Sequence, residues 1–187
     1  MYKVTQQPGS EPLTLEFVKN YLKQLDSVTA DDALITSLIV AARKEVEQHG
    51  IAVFDQEITE QYDSFPQGGK CLNLSLAPLR SVTSIQYTDT DGATQTLSTS
   101  IYSADSSGNY TRRIALNEGE SWPSTKQNIN AVTVVYRVGF DTTAPEVATI
   151  KTAMQLLIAY WYFDRADKMK RYESTSDRLL KTIQSYG

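Results

Sequence analysis

Apolar residues change their spacing twice along the chain, and these changes divide it into thirds. Leu15, Val18, Leu22 and Leu25 recur three and four positions apart, which is the period of one helix face, and Thr14 stands where a first-turn cap belongs. A second stripe, Ile35, Leu38, Ile39, Ala42 and Val46, predicts another helix ending at Gly50. Thr29 is its expected N-cap, with Asp32 three positions on completing a capping box. Ahead of both helices, Pro8, Gly9 and Pro12 predict an irregular lead-in over residues 1–12.

The middle third alternates instead. Between residues 53 and 139, threonine, serine, tyrosine and valine dominate and turn residues such as "FPQGGK" and "SSGN" interrupt them, which predicts short antiparallel strands. In "AVTVVYRVG" the alternation puts Val132, Val134, Tyr136 and Val138 on one face and Thr133 and Arg137 on the other. The segment "SVTSIQYTDTDGATQTLSTS" predicts a hairpin. A two-residue Asp91-Gly92 turn would set Leu97 opposite Gln86. A three-residue loop, Thr90-Asp91-Gly92, pairs Asp89 with Ala93, Tyr87 with Gln95 and Ile85 with Leu97. The second register is preferred, because it gathers Ile85 and Leu97 on one face and uses Gly92 as the left-handed residue.

After Gly139 the helical period returns. Pro145 suits a first turn, and Val147, Ile150, Met154, Leu157, Ile158 and Trp161 form a core-facing stripe within 144–166. The run Tyr160, Trp161, Tyr162, Phe163 surrounds one full turn, so it packs either in a core or between subunits, with the core favoured for Trp161. A last short helix in 167–187 has only Leu179, Leu180 and Ile183 as sizeable apolar residues, too few to be stable without a partner surface. The expected fold class is α+β. It consists of a small helical bundle in a single domain, made of two N-terminal helices, a long apolar helix and a short terminal one, with a β-rich antiparallel insertion in the middle.

Composition narrows the function. The 187 residues carry 18 Lys and Arg against 22 Asp and Glu, a net charge of −4, which disfavours a strong grip on nucleic-acid phosphates. The first residues lack the apolar stretch of a signal peptide, and no run suits a membrane span. A single cysteine suits a reducing compartment.

Candidate chemistry is sparse. His49, the only histidine, sits where a helix C-terminus favours it, and no orienting partner stands nearby in sequence. Cys71 in "KCLNLSL" reads as a small buried hydrophobe. "LNEGESWP" brings Glu118 and Glu120 close to Trp122, a composition suited to sugar or cation binding in a loop of unfixed shape. Nucleotide-binding, hydrolase and metalloprotease motifs are absent. No catalytic residue, metal ligand or cofactor site is expected, and the chain does not read as an enzyme. The cations Arg165, Lys168, Lys170 and Arg171 are either a solvated helix end or a docking patch for an acidic partner.

Taken in order, "PLTLEFVKNYL", "DDALITSLIVAARKEVEQHG", "YDSFP", "APLRSVTSIQYTDTDG", "IALNEGESWP", "AVTVVYRVGF" and "AMQLLIAYWYFDR" resemble the head–tail connector proteins of long-tailed bacteriophages, also called adaptor or head-completion proteins. The resemblance runs from about residue 12 to 165. It implies a non-enzymatic virion protein, assembled in the host cytoplasm, that forms a ring, usually of twelve copies, beneath the portal protein. Such a ring extends the channel for double-stranded DNA and offers a platform to the next neck or tail protein, without sequence-specific DNA binding and without a membrane. By position in the family, the portal-docking residues are Arg165, Lys168, Lys170, Arg171, Tyr172, Leu179, Leu180 and Ile183. Asp89, Asp91 and Gly92 mark a hairpin tip for a neighbour or the tail side. The family often starts a strand with tryptophan after the second helix, where this chain has Phe54 and Tyr62, and no shared motif continues beyond Arg165. Rival readings are a tail-completion protein one layer lower, and a carbohydrate-binding module built on Trp122.

Overall fold

A computed structural model describes residues 2–69, 71–108 and 110–164, together with Arg178, Leu179 and Lys181. The chain divides into two compact units, because its strands and its helices each bury a core of their own. One comprises Met1–Pro8 and Asp55–Gly139, the other Gly9–Phe54 and Phe140–Gly187. Among the described residues, helices and two antiparallel sheets make the class α+β.

The first unit is built on β8 (Val132–Val138). Its alternation is the predicted one: Val132, Val134, Tyr136 and Val138 are buried, and Thr133, Val135 and Arg137 are half-buried. β8 lies between β2 (Gln56–Tyr62) and β4 (Leu79–Thr88), antiparallel to both, with Val134 opposite Glu60 on one side and Ile85 on the other. β1 (Tyr2–Gln6) and β5 (Thr94–Thr96) complete the order β1-β2-β8-β4-β5. A second sheet runs β3 (Leu72–Asn73), β7 (Arg113–Leu116), β6 (Tyr102–Asp105).

β1 corrects the expectation of an irregular lead-in. Residues 2–5 alternate, with Tyr2 and Val4 half-buried and Lys3 and Thr5 exposed, and Val4 pairs with Ile58. The strand exists because β2 offers it an edge, and the Thr5 hydroxyl adds a hydrogen bond to the Glu57 carbonyl at 3.1 Å.

One carboxylate is buried in this unit. Glu60 accepts from the Tyr136 hydroxyl at 2.7 Å, from the Ser75 backbone N–H at 3.0 Å and from the Ser75 hydroxyl. Three donors on one carboxylate are what a buried charge requires. Burial first, and then the Glu60 charge, push the Tyr136 and Tyr62 phenols well above the usual tyrosine range.

In the second unit α1 (Leu15–Tyr21) packs on α2 (Asp32–Gln48), and α2 on α3 (Pro145–Phe163). The Thr14 hydroxyl accepts from the Phe17 N–H at 3.2 Å, as a first-turn cap should. α2 buries Ile35, Ile39, Ala42 and Val46, and Gly50 follows its end at φ +80°.

Three local expectations fail here, each for a physical reason. Leu25 is exposed, because α1 stops at Tyr21 and Lys23 takes a φ of 61°, so the helical period lapses before it reaches Leu25. Thr29 does not cap α2. The N-cap is Asp31, and the Asp32 carboxylate instead pairs with the buried Lys19 ammonium at 2.8 Å. A buried ammonium needs an anion more than a helix start needs a cap. At the end of α3 the inward residue is Tyr162, and Trp161 is half-buried. The Tyr162 hydroxyl donates to Asp31 at 2.5 Å and accepts from the Gln24 amide at 2.7 Å, so its polar end has partners in the interior.

Candidate interaction surfaces

The hairpin between β4 and β5 has the three-residue register. Tyr87 pairs with Gln95, the Asp89 N–H donates to the Ala93 carbonyl at 2.9 Å, and the Leu97 N–H donates to the Ile85 carbonyl at 2.8 Å. Gly92 sits at φ +90°, which is why this position is glycine. Asp89 organises the tip: one carboxylate oxygen accepts from the N–H groups of Asp91 (3.1 Å) and Ala93 (2.8 Å), the other from the Gln95 amide (2.9 Å). The Gln95 amide first, then the Ala93 N–H, hold this carboxyl below the usual carboxylate range. Of the three tip residues singled out in the sequence, Asp89 therefore shapes the turn, Gly92 permits it, and Asp91 is exposed.

Trp122 lines an open cleft of about 650 Å³ with Phe65, Pro66, Gly68, Gly69 and Glu120 among its walls. Its ring stacks on Phe65, centroids 4.9 Å apart and planes 6° apart, and Phe65 meets Tyr87 edge-on at 5.7 Å. One indole face is thus spent on Phe65. Glu120 reaches the cleft and Glu118 is not among its lining residues, so the two carboxylates do not converge on Trp122.

His49 is the C-cap of α2, its backbone N–H donating to the Val46 carbonyl at 3.0 Å. Cys71 is half-buried and not fully enclosed as its strand-like neighbours suggested, because Leu72 takes the inward position at the start of β3. Among the described residues no three His, Cys, Asp or Glu side chains gather as a metal site would need, and no helix is long and apolar enough to cross a membrane.

No protein-family model and no curated protein sequence matches the chain. Solved structures do. A chain in the virion of a native gene transfer agent particle aligns with a TM-score of 0.76 at 19% identity, covering 97% of this chain and 94% of that one. A chain in the neck of an empty particle, computed with C6 symmetry, gives 0.75 at 18% over 97% and 94%. A chain in the neck of a native particle, computed with C12 symmetry, gives 0.74 at 18% over 97% and 93%. The fold is shared with chains of gene transfer agent particles.

Against that fold, most of the docking residues expected near the C-terminus, Arg165, Lys168, Lys170, Arg171, Tyr172, Leu180 and Ile183, lie outside the described residues. Leu179 is helical and half-buried, with Arg178 and Lys181 exposed beside it. Sequence reasoning missed a different surface. Phe17, Tyr21, Leu25, Val28 and Leu34 are all exposed in the second unit. The available signal was that Phe17 and Tyr21 lie four apart, off the Val18–Leu22 stripe that α1 buries.

Proposed function

We propose that this protein is a non-enzymatic structural subunit of a virion neck, forming a ring of copies, twelve in the reading preferred here, beneath the portal protein at the capsid vertex. The ring continues the DNA channel and gives the next neck or tail component its attachment surface. The observation that carries this reading is the likeness over 97% of the chain to chains of gene transfer agent particles, two of them in necks computed with C6 and C12 symmetry. The ordered sequence fragments that resemble phage head–tail connectors support it independently.

Within the proposal, the helices form a small bundle to which residues 167–187 add a docking segment for the portal, through Lys168, Lys170, Arg171 and Tyr172 and the apolar Leu179, Leu180 and Ile183, with Arg165 just ahead of it. Asp91, presented by the Asp89–Gly92 turn, faces a neighbour or the tail side. A net charge of −4 suits a channel wall that repels phosphate, so that double-stranded DNA slides and does not stick. The deciding experiment mixes the purified protein with its cognate portal and images the particles. A ring at the portal's narrow end is the expected result; portal particles without added density overturn the reading.

A further inference from the structure

Large apolar side chains that face solvent are not scattered over the described residues. Of the seven, five fall between residues 17 and 34, at the corner where α1 turns into α2. That corner is held, not loose. The buried Lys19 ammonium donates to the carbonyls of Asp26 (3.0 Å) and Val28 (2.8 Å) and pairs with Asp32 (2.8 Å). Each of the five lies within two positions of a member of this hub. Phe17 and Tyr21 flank Lys19, Leu25 precedes Asp26, Val28 is itself a partner, and Leu34 follows Asp32. The Val28 N–H closes a turn on the Leu25 carbonyl at 3.0 Å, and Tyr162 ties Gln24 and Asp31 to α3.

The exposed fractions are 50% for Phe17, 41% for Tyr21, 70% for Leu25, 43% for Val28 and 36% for Leu34. At roughly 150–250 Å² for a large side chain, they offer about 360–600 Å² of surface, most of it apolar. One side of a standard protein interface covers roughly 800 Å², of which about 56–65% is apolar, or about 450–520 Å². The corner supplies what one side of such a contact needs. It is also poor in free charge. Asp31 and Asp32 are engaged with Tyr162 and Lys19, leaving Lys23 and Asp26 as the exposed charges from 17 to 34. That suits the centre of a protein contact and does not suit a phosphate backbone.

We propose that the α1–α2 corner, residues 17–34, is the face by which one copy of the chain packs against the next copy in the ring. The inference rests on the ring reading above. In a cyclic assembly the corner meets a different surface of the neighbour, so the contact runs head to tail and closes on itself. Holding the corner on Lys19 before assembly lowers the ordering cost of each contact.

A photo-crosslinking benzophenone residue placed at position 25 and irradiated in portal-bound rings tests this directly. A species of twice the chain mass, whose joined peptides both come from this protein, is the expected result. Intact rings that crosslink only to portal or tail protein, or not at all, overturn the contact and leave the ring reading standing. Rings absent even with the unaltered protein overturn both. In parallel, a Phe17→Asp, Leu25→Asp double variant should keep its melting temperature and lose ring occupancy at least tenfold. Ile129→Asp, an exposed apolar position in the other unit, should keep it. Equal occupancy in both variants overturns the proposal.

Discussion

Replacing Tyr136 with phenylalanine tests the buried carboxylate of the first unit through two effects of known sign. At neutral pH the change removes the 2.7 Å hydrogen bond to Glu60 and leaves that carboxylate one donor short, the backbone N–H and hydroxyl of Ser75 remaining. A hydrogen bond to a buried charge is worth roughly 1.5–3 kcal/mol, so the variant should be less stable by about 2 kcal/mol at pH 7. At high pH the tyrosine has an opposing effect. Burial and Glu60 raise its folded pKa above the unfolded value of about 10, so the folded chain keeps a proton that the unfolded chain releases. The stability linked to that proton is complete below about pH 10 and declines as pH climbs above it, by about 1.4 kcal/mol at pH 11. Phenylalanine has no proton to lose. The deficit of the variant should therefore shrink from about 2 kcal/mol at pH 7 to about 0.6 kcal/mol at pH 11. Urea unfolding followed by Trp122 fluorescence in a Trp161→Phe background reads the unit that contains Tyr136. A deficit that stays constant from pH 7 to pH 11 would refute the claim that the folded state holds the phenol neutral.

Gly92→Ala should destabilise the first unit by about 1–2 kcal/mol, because an L residue at φ +90° is strained while the added Cβ meets only the Lys126 ammonium at 3.4 Å. Urea midpoints and faster amide exchange across Tyr87 and Gln95 check it. Lys19→Met should cost the second unit about 3 kcal/mol, since it abandons Asp32 and two carbonyls around a buried site; a loss below 1 kcal/mol in urea unfolding would show that the corner is not organised by this ammonium. Thr14→Ala should cost about 1 kcal/mol in the same assay, with Thr14→Asn close to neutral.

What could be read from the chain beforehand was whatever depends on neighbours in sequence. The hairpin register was legible because Gly92 and the two-residue period of Ile85, Tyr87, Gln95 and Leu97 allow one economical pairing. The inward face of β8 was legible because four alternating apolar residues define it without reference to any partner. β1 was not, since its strand conformation depends on an edge more than fifty positions away, and Tyr2–Gln6 contains no turn signal of its own. The reversal at α2 has the same origin. "TADD" is a good capping sequence, yet Lys19, thirteen positions upstream of Asp32, is buried and claims that carboxylate. Tyr162 displaced Trp161 from the inward position because Gln24 and Asp31 could satisfy a hydroxyl there, which no periodicity encodes. The exposed corner follows the same rule from the other side. Leu25 looks like a core residue by its spacing until the partners of Lys19 are known, whereas Phe17 and Tyr21 already lie off the buried Val18–Leu22 stripe. Polar groups seeking buried partners thus decide which apolar residues this chain leaves exposed.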